Sequence, residues 1–161
     1  MKKLLLFLLP LLQVACSQND ESPIIKVEKV CVDRGKGVEE RNYSGCMDEL
    51  PALKAGDKID ALLLLDGNGA ELKTFMLQSD DEVNTVLHYK EREVSVTGEL
   101  TDEEKGQLRF IDGVTHTTVS VQATIKEVDE EGDVKLFFYL SSKADCEGTK
   151  EVLGLKTKAK E

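Results

Sequence analysis

Apolar residues recur at every second position over most of the chain after residue 23, and this period of two constrains the fold more than any other feature. The pattern is clearest in IIKVEKVCV (24–32), TTVSVQATIKEV (117–128), DVKLFFYL (133–140) and EVLGLKTK (151–158). Successive side chains of a strand point to opposite faces of a sheet, so alternation predicts strands with one buried face. We therefore predict a mainly β fold with strands in these four segments.

Residues 57–77 predict a β-hairpin. The segments DKIDALLLLD and AELKTFML flank the turn GNG, in which Asn68 and Gly69 supply the positive φ values that tight hairpin turns need. Four consecutive leucines, 62–65, place apolar side chains on both faces of the first strand, so we expect this strand to be central and covered on each side. A second strand pair, made of the segments that begin at 117 and 133, would be joined by the acidic turn DEEGD (129–133).

The segments between these strands are less regular. EVSVTGEL (93–100) is a further strand candidate, whereas SDDEVNTVLHYKER (79–92) and TDEEKGQL (101–108) each begin with a Ser or Thr followed three residues later by Glu, the pair that caps a helix. Both could instead be polar connections. The whole pattern predicts an antiparallel two-sheet sandwich of about seven strands, immunoglobulin-like, with one or two short helices.

The first 15 residues, MKKLLLFLLPLLQVA, have the pattern of a secretory signal. Two lysines precede an apolar run that is too short to cross a bilayer as a helix. The junction resembles the lipobox of bacterial lipoproteins: Val14, Ala15 and Cys16 fit the pattern, and Gln13 replaces its usual Leu. This resemblance implies cleavage before Cys16 and lipid on its sulfur and amine, which gives a stable membrane anchor. The alternative is an ordinary secreted protein with a spare cysteine.

After the cleavage site, the polar segment SQNDESP predicts a flexible lipidated tether over residues 16–23, followed by one domain at 24–161. Its acidic residues resemble the surface-export signal of Bacteroidetes lipoproteins, which implies the outer membrane with possible exposure at the cell surface. The segment LKAGDKIDALLLLDGNGAELKTFML (53–77) also resembles the early strands of immunoglobulin-like domains in small Bacteroidetes lipoproteins of unknown function.

The charge balance limits the partners. Removal of residues 1–15 leaves 146 of the 161 residues and takes away two lysines and no acid, so the formal charge changes from −10 to −12. Such a chain is not expected to bind nucleic acid, and the excess of acid is first explained by a solvated surface.

With Cys16 assigned to lipid, three cysteines remain. In an oxidising compartment a bond between Cys31 and Cys46 is favoured, because it closes a local loop of about 15 residues worth roughly 3 kcal/mol. The pairs Cys46–Cys146 and Cys31–Cys146, or no bond at all, stay open. The cysteine spacing does not suggest zinc.

Few residues point to chemistry. His88 and His116 accompany no nucleophile or metal motif, and GxSxG, HExxH and phosphate-binding loops are absent from the sequence, so we expect neither catalysis nor a cofactor. A weak cation site could form from Asp66, Asn68 and Glu71, or at DEEGD, because hard cations take oxygen ligands. A turn explains the glycines of the first loop without any metal.

The expected function is therefore binding. The chain has no Trp and three Tyr, of which Tyr43 and Tyr139 are the candidates for exposed aromatic platforms, while the phenylalanines after the signal are expected in the core. Because glycan binding favours exposed rings, the leading hypothesis is a lipid-anchored, non-enzymatic module that binds or scaffolds another envelope protein. The alternative is an accessory surface protein that binds glycan.

Overall fold

In a computed structural model that describes residues 21–96 and 100–160, eight strands form two antiparallel sheets. Sheet A has the order β1-β2-β6-β4 and sheet B the order β5-β3-β7-β8. The predicted two-sheet β sandwich is thus confirmed. The strands are β1 (Ile24–Asp33), β2 (Lys58–Asp66), β3 (Leu72–Ser79), β4 (Val83–His88), β5 (Gln107–Arg109), β6 (His116–Ile125), β7 (Gly132–Ser142) and β8 (Thr149–Thr157).

The strand order matches the immunoglobulin arrangement. Sheet A corresponds to strands A-B-E-D of a constant-type domain, and β3-β7-β8 of sheet B correspond to C-F-G. The additional strand β5 lies at the edge of sheet B beside β3.

The core lies between the inner faces of the two sheets, where the period of two places the apolar residues. Phe75 and Phe138 stack at its centre, with 6.3 Å between ring centroids. The predicted inward faces of β6 and β7 are confirmed, because their alternate residues are 4% exposed or less: Val119, Val121, Ala123, Ile125, Val134, Leu136, Phe138 and Leu140.

The two predicted hairpins are wrong. Strands β2 and β3 belong to different sheets, as do β6 and β7, so the turns that follow β2 and β6 cross from one sheet to the other. Asn68 and Gly69 do have the expected positive φ, 52° and 91°. Gly67 is also required, because a Cβ there would lie 2.0 Å from the Ala70 carbonyl oxygen. Each pair of strands covers the core from opposite sides, which buries both apolar faces without direct pairing.

The leucine run lies in a central strand, as predicted, but it is covered on one face. Leu63 and Leu65 are fully buried, whereas Leu62 and Leu64 are half-exposed on the outer face of sheet A. There they lie opposite Ser120 and Thr118 of β6, with which they form a mixed polar and apolar surface.

Neither predicted helix forms. Residues 79–92 contain β4, and residues 101–108 form turns that lead into β5. The side chains of Val83, Thr85 and Leu87 instead alternate toward the core, and pairing with β6 gives their strand a backbone ladder. The described helices are single 3-10 turns at Met47–Glu49 and Glu91–Glu93. Within residues 21–96 and 100–160, no helix is long and apolar enough to span a membrane.

The predicted strand at 93–100 is largely replaced by other structure. Glu93 ends a 3-10 turn, and Val94 forms an isolated bridge with Phe110. Residues 97–99 lie outside the described part of the chain.

Candidate functional site

The predicted lipidation site, Cys16, lies outside the described residues, as does the tether before Glu21. The other three cysteines are free thiols in this structure, with Cys31 buried and Cys46 and Cys146 half-buried. The Cys31–Cys46 bond therefore stays a prediction.

The start of the described chain is held against the sandwich. The Asn68 amide donates to the Ser22 carbonyl over 3.1 Å, and the Thr149 hydroxyl donates to the Pro23 carbonyl. The Cys146 thiol lies 3.4 Å from the Glu21 carbonyl oxygen. Residues 21–23 thus contact two loops at one end of the domain.

The three predicted cation ligands have separate partners. Asp66 accepts a hydrogen bond from the Asn68 backbone N–H at 2.8 Å, which closes the turn. Glu71 instead binds the Lys143 ammonium, which also contacts Asp112 at 2.6 Å. Hydrogen bonding to Lys143 lowers the pKa of Glu71. Cation binding here stays a prediction, in which a cation would compete with Lys143 for Glu71.

Two of the aromatic predictions are wrong. Tyr43, in the loop that follows β1, is buried at 4% exposure and packs against the core. Phe137 was expected in the core but is half-buried on the outer face of sheet B, beside the half-buried Tyr139. His88 and His116 are exposed. Within the described residues, no cluster of three or more His, Cys, Asp or Glu could hold a metal ion.

The outer edge of β1 is covered by the loop that follows it. Backbone N–H groups of Glu39 and Tyr43 donate to the carbonyls of Val32 and Val30. The Asn42 side chain accepts from the Val30 N–H at 2.9 Å and donates to the Glu28 carbonyl at 3.1 Å. An amide side chain therefore takes the place of a neighbouring strand.

The outer edge of β4 has no such cover. The Lys126 N–H donates to the Glu82 carbonyl. The alternation of an antiparallel ladder therefore turns the backbone N–H and C=O groups of Asn84 and Val86 toward β6, and those of Thr85 and Leu87 toward solvent at the edge of the sheet. Across the described residues, no hydrogen bond reaches the backbone of Thr85 or Leu87 from outside sheet A. This open edge, defined as the outward backbone of residues 84–88, is a surface to which another strand can pair.

A cleft of about 640 Å³ runs beside the open edge, between β4, the end of β3 and the turn before β5. Its apolar lining includes Leu77, Val86 and Phe137, and Glu103 and Glu104 also line it. Gly106 permits this close approach, because a Cβ there would lie 2.5 Å from the Leu77 carbonyl oxygen.

The acidic wall continues into a second cleft of about 620 Å³. There the Tyr89 hydroxyl donates to Glu103, and this bond together with burial raises the pKa of Tyr89 to about 12. Two strongly exposed apolar side chains lie in this region, Val96 at 89% and Leu100 at 50% exposure.

The outer face of sheet B forms a different surface. Registration across the strands aligns Gln107, Met76, Tyr139 and Lys150 in one row and places Gln78, Phe137 and Val152 in the next. The Lys150 ammonium lies 4.7 Å from the Phe137 ring centroid and 5.4 Å from that of Tyr139. We call this surface the basic face, because its outward charges are mostly those of Arg109, Lys135, Lys150 and Lys156.

Sequence reasoning identified Tyr139 but missed the other parts of both surfaces. The alternation of β7 already turns Phe137 to the same side as Tyr139, so this pairing was available from the sequence. The open edge was not available, because it depends on which strand ends each sheet.

Comparison with known proteins gives a family without an assigned activity. No curated protein matches the chain. Residues 16–157 match the family described as a domain of unknown function, DUF5035. Since the match covers most of the chain, the protein belongs to the DUF5035 family.

Proposed function

We propose that this protein is a lipid-anchored, non-enzymatic binding module of the outer membrane that contacts another envelope protein through its open edge. The observation that carries the proposal is the uncovered backbone of β4 in a sandwich whose β1 edge is covered by side-chain and main-chain hydrogen bonds. Exposed edges are usually blocked in natural sheets, so an edge left open beside an apolar cleft favours strand addition.

The partner segment is extended, with apolar and basic side chains in alternation. Backbone hydrogen bonds to Thr85 and Leu87 would fix its register, and side chains on one face would enter the cleft against Leu77 and Val86. Glu103 and Glu104 face the same space, and their charge favours Lys or Arg on the incoming strand.

The lipid anchor is supported by the signal pattern and by the lipobox residues that precede Cys16. The DUF5035 match starts at the same cysteine, which agrees with a mature chain that begins there. The acidic mature chain is also suited to an exposed envelope surface, where net charge limits non-specific association.

Site-specific photo-crosslinking in cells tests this proposal. A photoreactive residue at Val86, on the open edge, is compared with one at Val38, beside the covered β1 edge. The two side chains are matched in exposure, 52% and 53%, so a difference reports the edge rather than accessibility. We expect Val86 to give a discrete adduct with one envelope protein and Val38 to give none.

Equal adduct patterns from both positions, or no adduct from Val86, would contradict the proposed contact. The same experiment in a Cys16→Ser background tests the anchor, because that variant should leave the membrane fraction. Retention of Cys16→Ser in the membrane after high-salt washing would contradict lipid anchoring. The edge contact would still be tested separately, by the presence or absence of the Val86 adduct.

A further inference from the structure

We propose that the basic face is a second binding site, independent of the open edge, and that it takes a polysaccharide bearing carboxylate groups. The site is the outer surface of β3, β7 and β8, centred on Phe137, Tyr139 and Lys150. A glycan on this face would not occupy β4 or its cleft except at the margin formed by Phe137.

The charge of this face opposes that of the chain. In a protein with a formal charge of −10, the outward positions of sheet B carry four cations, and Asp133 at the start of β7 is the outward carboxylate. Among the described residues, no salt bridge joins Lys135, Lys150 or Lys156 to an acid. These ammonium groups are therefore available to an anionic ligand, and their local field attracts one.

The aromatic pair supplies a surface for sugar rings. Phe137 and Tyr139 are half-buried and lie on the same side of β7, and the Lys150 ammonium from β8 lies over both rings. A sugar that stacks on a ring through its apolar C–H face would displace this flexible side chain from the ring, and the displaced ammonium could then pair with the carboxylate of the same sugar unit.

The groove around Tyr139 is suited to hydroxyl groups. It has a volume of about 390 Å³, and its lining is mostly apolar, with Met76 and Tyr139 among the residues. The hydroxyls of Thr74, Ser141 and Thr149 are already hydrogen-bonded within the protein, whereas the Gln107 amide, which donates to the Leu100 carbonyl, keeps its oxygen as an acceptor. A sugar hydroxyl can donate to this oxygen and a sugar C–H face can lie on the apolar lining, whereas the side chains of an acidic peptide mainly accept, so the groove favours a uronic acid over a run of Asp or Glu.

The spacing of the lysines favours a polymer. Lys150 and Lys156 lie six residues apart on one face of β8, a separation of roughly 20 Å at the rise of an antiparallel strand. A single sugar cannot reach both, but several linked units can. Binding should therefore strengthen with chain length.

Calorimetry with the full-length protein in non-ionic detergent tests the site, with polygalacturonate as the probe. We expect binding that weakens as salt rises, because the lysines are exposed. Tyr139→Leu, which keeps an apolar side chain but removes the ring, should weaken affinity roughly tenfold. Lys150→Ala should also weaken it and should reduce the salt dependence.

Matched controls distinguish binding at this site from non-specific electrostatic attraction. Lys58→Ala removes an exposed lysine from the outer face of sheet A, and its affinity should stay within about twofold of wild type. Neutral dextran should not bind, and poly-L-glutamate should bind at least tenfold more weakly than polygalacturonate. Absence of polygalacturonate binding, equal binding of poly-L-glutamate, or an equal loss from Lys58→Ala and Lys150→Ala would each overturn the proposal.

Discussion

The two edges of sheet A differ in how they meet solvent. At β1, the Asn42 side chain and the residues around it satisfy the backbone of Glu28, Val30 and Val32. At β4, the strand at the other end of the same sheet, the outward backbone groups of Thr85 and Leu87 have no partner within the described residues. The chain therefore blocks the β1 edge of sheet A with its own residues and leaves the β4 edge open.

The difference implies different roles for the two edges: the β1 edge is blocked against pairing, and the β4 edge is the one we propose for binding. The cover of β1 prevents pairing with a second chain, which is the common hazard of an exposed strand. An exposed β4 without a binding role would be an unusual weakness in a sheet whose opposite edge is so well covered. The asymmetry instead supports β4 as the binding edge, and the following variants test the two edges against each other.

Removal of the β1 cover should have the largest effect. Asn42→Ala eliminates hydrogen bonds to the Val30 N–H, the Ser44 N–H and the Glu28 carbonyl. With Val30 fully buried, we expect the free energy of unfolding to fall by about 3 kcal/mol, measured by urea denaturation. The exposed edge should also cause concentration-dependent self-association.

The matched control is Asn84→Ala on β4. Asn84 is exposed, so its loss should change the free energy of unfolding by about 0.5 kcal/mol or less. Similar losses from both alanine variants would show that Asn42 does not have a special role at the β1 edge.

Proline substitutions on β4 should have the next largest effect on stability, and they should distinguish the backbone groups that pair with β6 from those on the open edge. Val86→Pro removes an N–H that pairs with β6, and we expect a loss of about 2 kcal/mol. Thr85→Pro removes an outward N–H, so it should change stability by about 1 kcal/mol or less while it abolishes the Val86 crosslink. Thermal denaturation checks the first expectation. A crosslink that persists in a folded Thr85→Pro protein would argue against strand addition.

The smallest effect concerns the third edge, β5, which residues 93–95 cover. The Thr117 hydroxyl donates to Glu93 and lowers the pKa of that carboxyl. Because the folded-state pKa is depressed, the stabilisation is present above the usual value of 4.5 and is lost as pH falls through the folded-state pKa. Thr117→Val should cost about 1.5 kcal/mol at pH 7 and less at pH 3.

Urea denaturation at the two pH values measures this change, with Thr118→Val on the outer face of sheet A as the control. Thr118 is half-exposed and makes no bond to Glu93, so its substitution should have no such pH dependence. A constant loss for Thr117→Val across pH would show that Glu93 is not the group involved.

The sequence predicted the strands better than their partners. Alternation located β6, β7 and β8 because each buries one regular face, and it also located β1, where a register shift between Val27 and Lys29 interrupts the pattern. It could not assign pairing, since a chain that crosses the core after Asp66 has the same local pattern as one that turns back in a hairpin. The glycine turn was identified correctly, but the carbonyl of Thr115, which fixes it, lies far along the chain.

Local signals also misled at β4. Ser79 and Glu82 have the spacing of a helix cap, and Val83, Val86 and Leu87 fit one helical face. Pairing with β6 outweighs this preference, because it supplies backbone hydrogen bonds along the strand and buries Val83. Because residues 79–92 were predicted to be helical, the sequence did not predict the candidate site on this edge. Alternation alone did predict an exposed Tyr139 on the basic face.

The contacts of residues 21–23 set the reach of the domain from its proposed anchor. With Glu21 beside Cys146 and Ser22 bound by Asn68, the chain from Cys16 to Glu21 spans five residue steps, about 18 Å when fully extended. A lipid on Cys16 would hold the loops after β2 and β7 close to the bilayer. The strands would then extend away from the membrane, and a partner strand on β4 would run along the domain toward the acidic loops after β3 and β6, which lie at its far end.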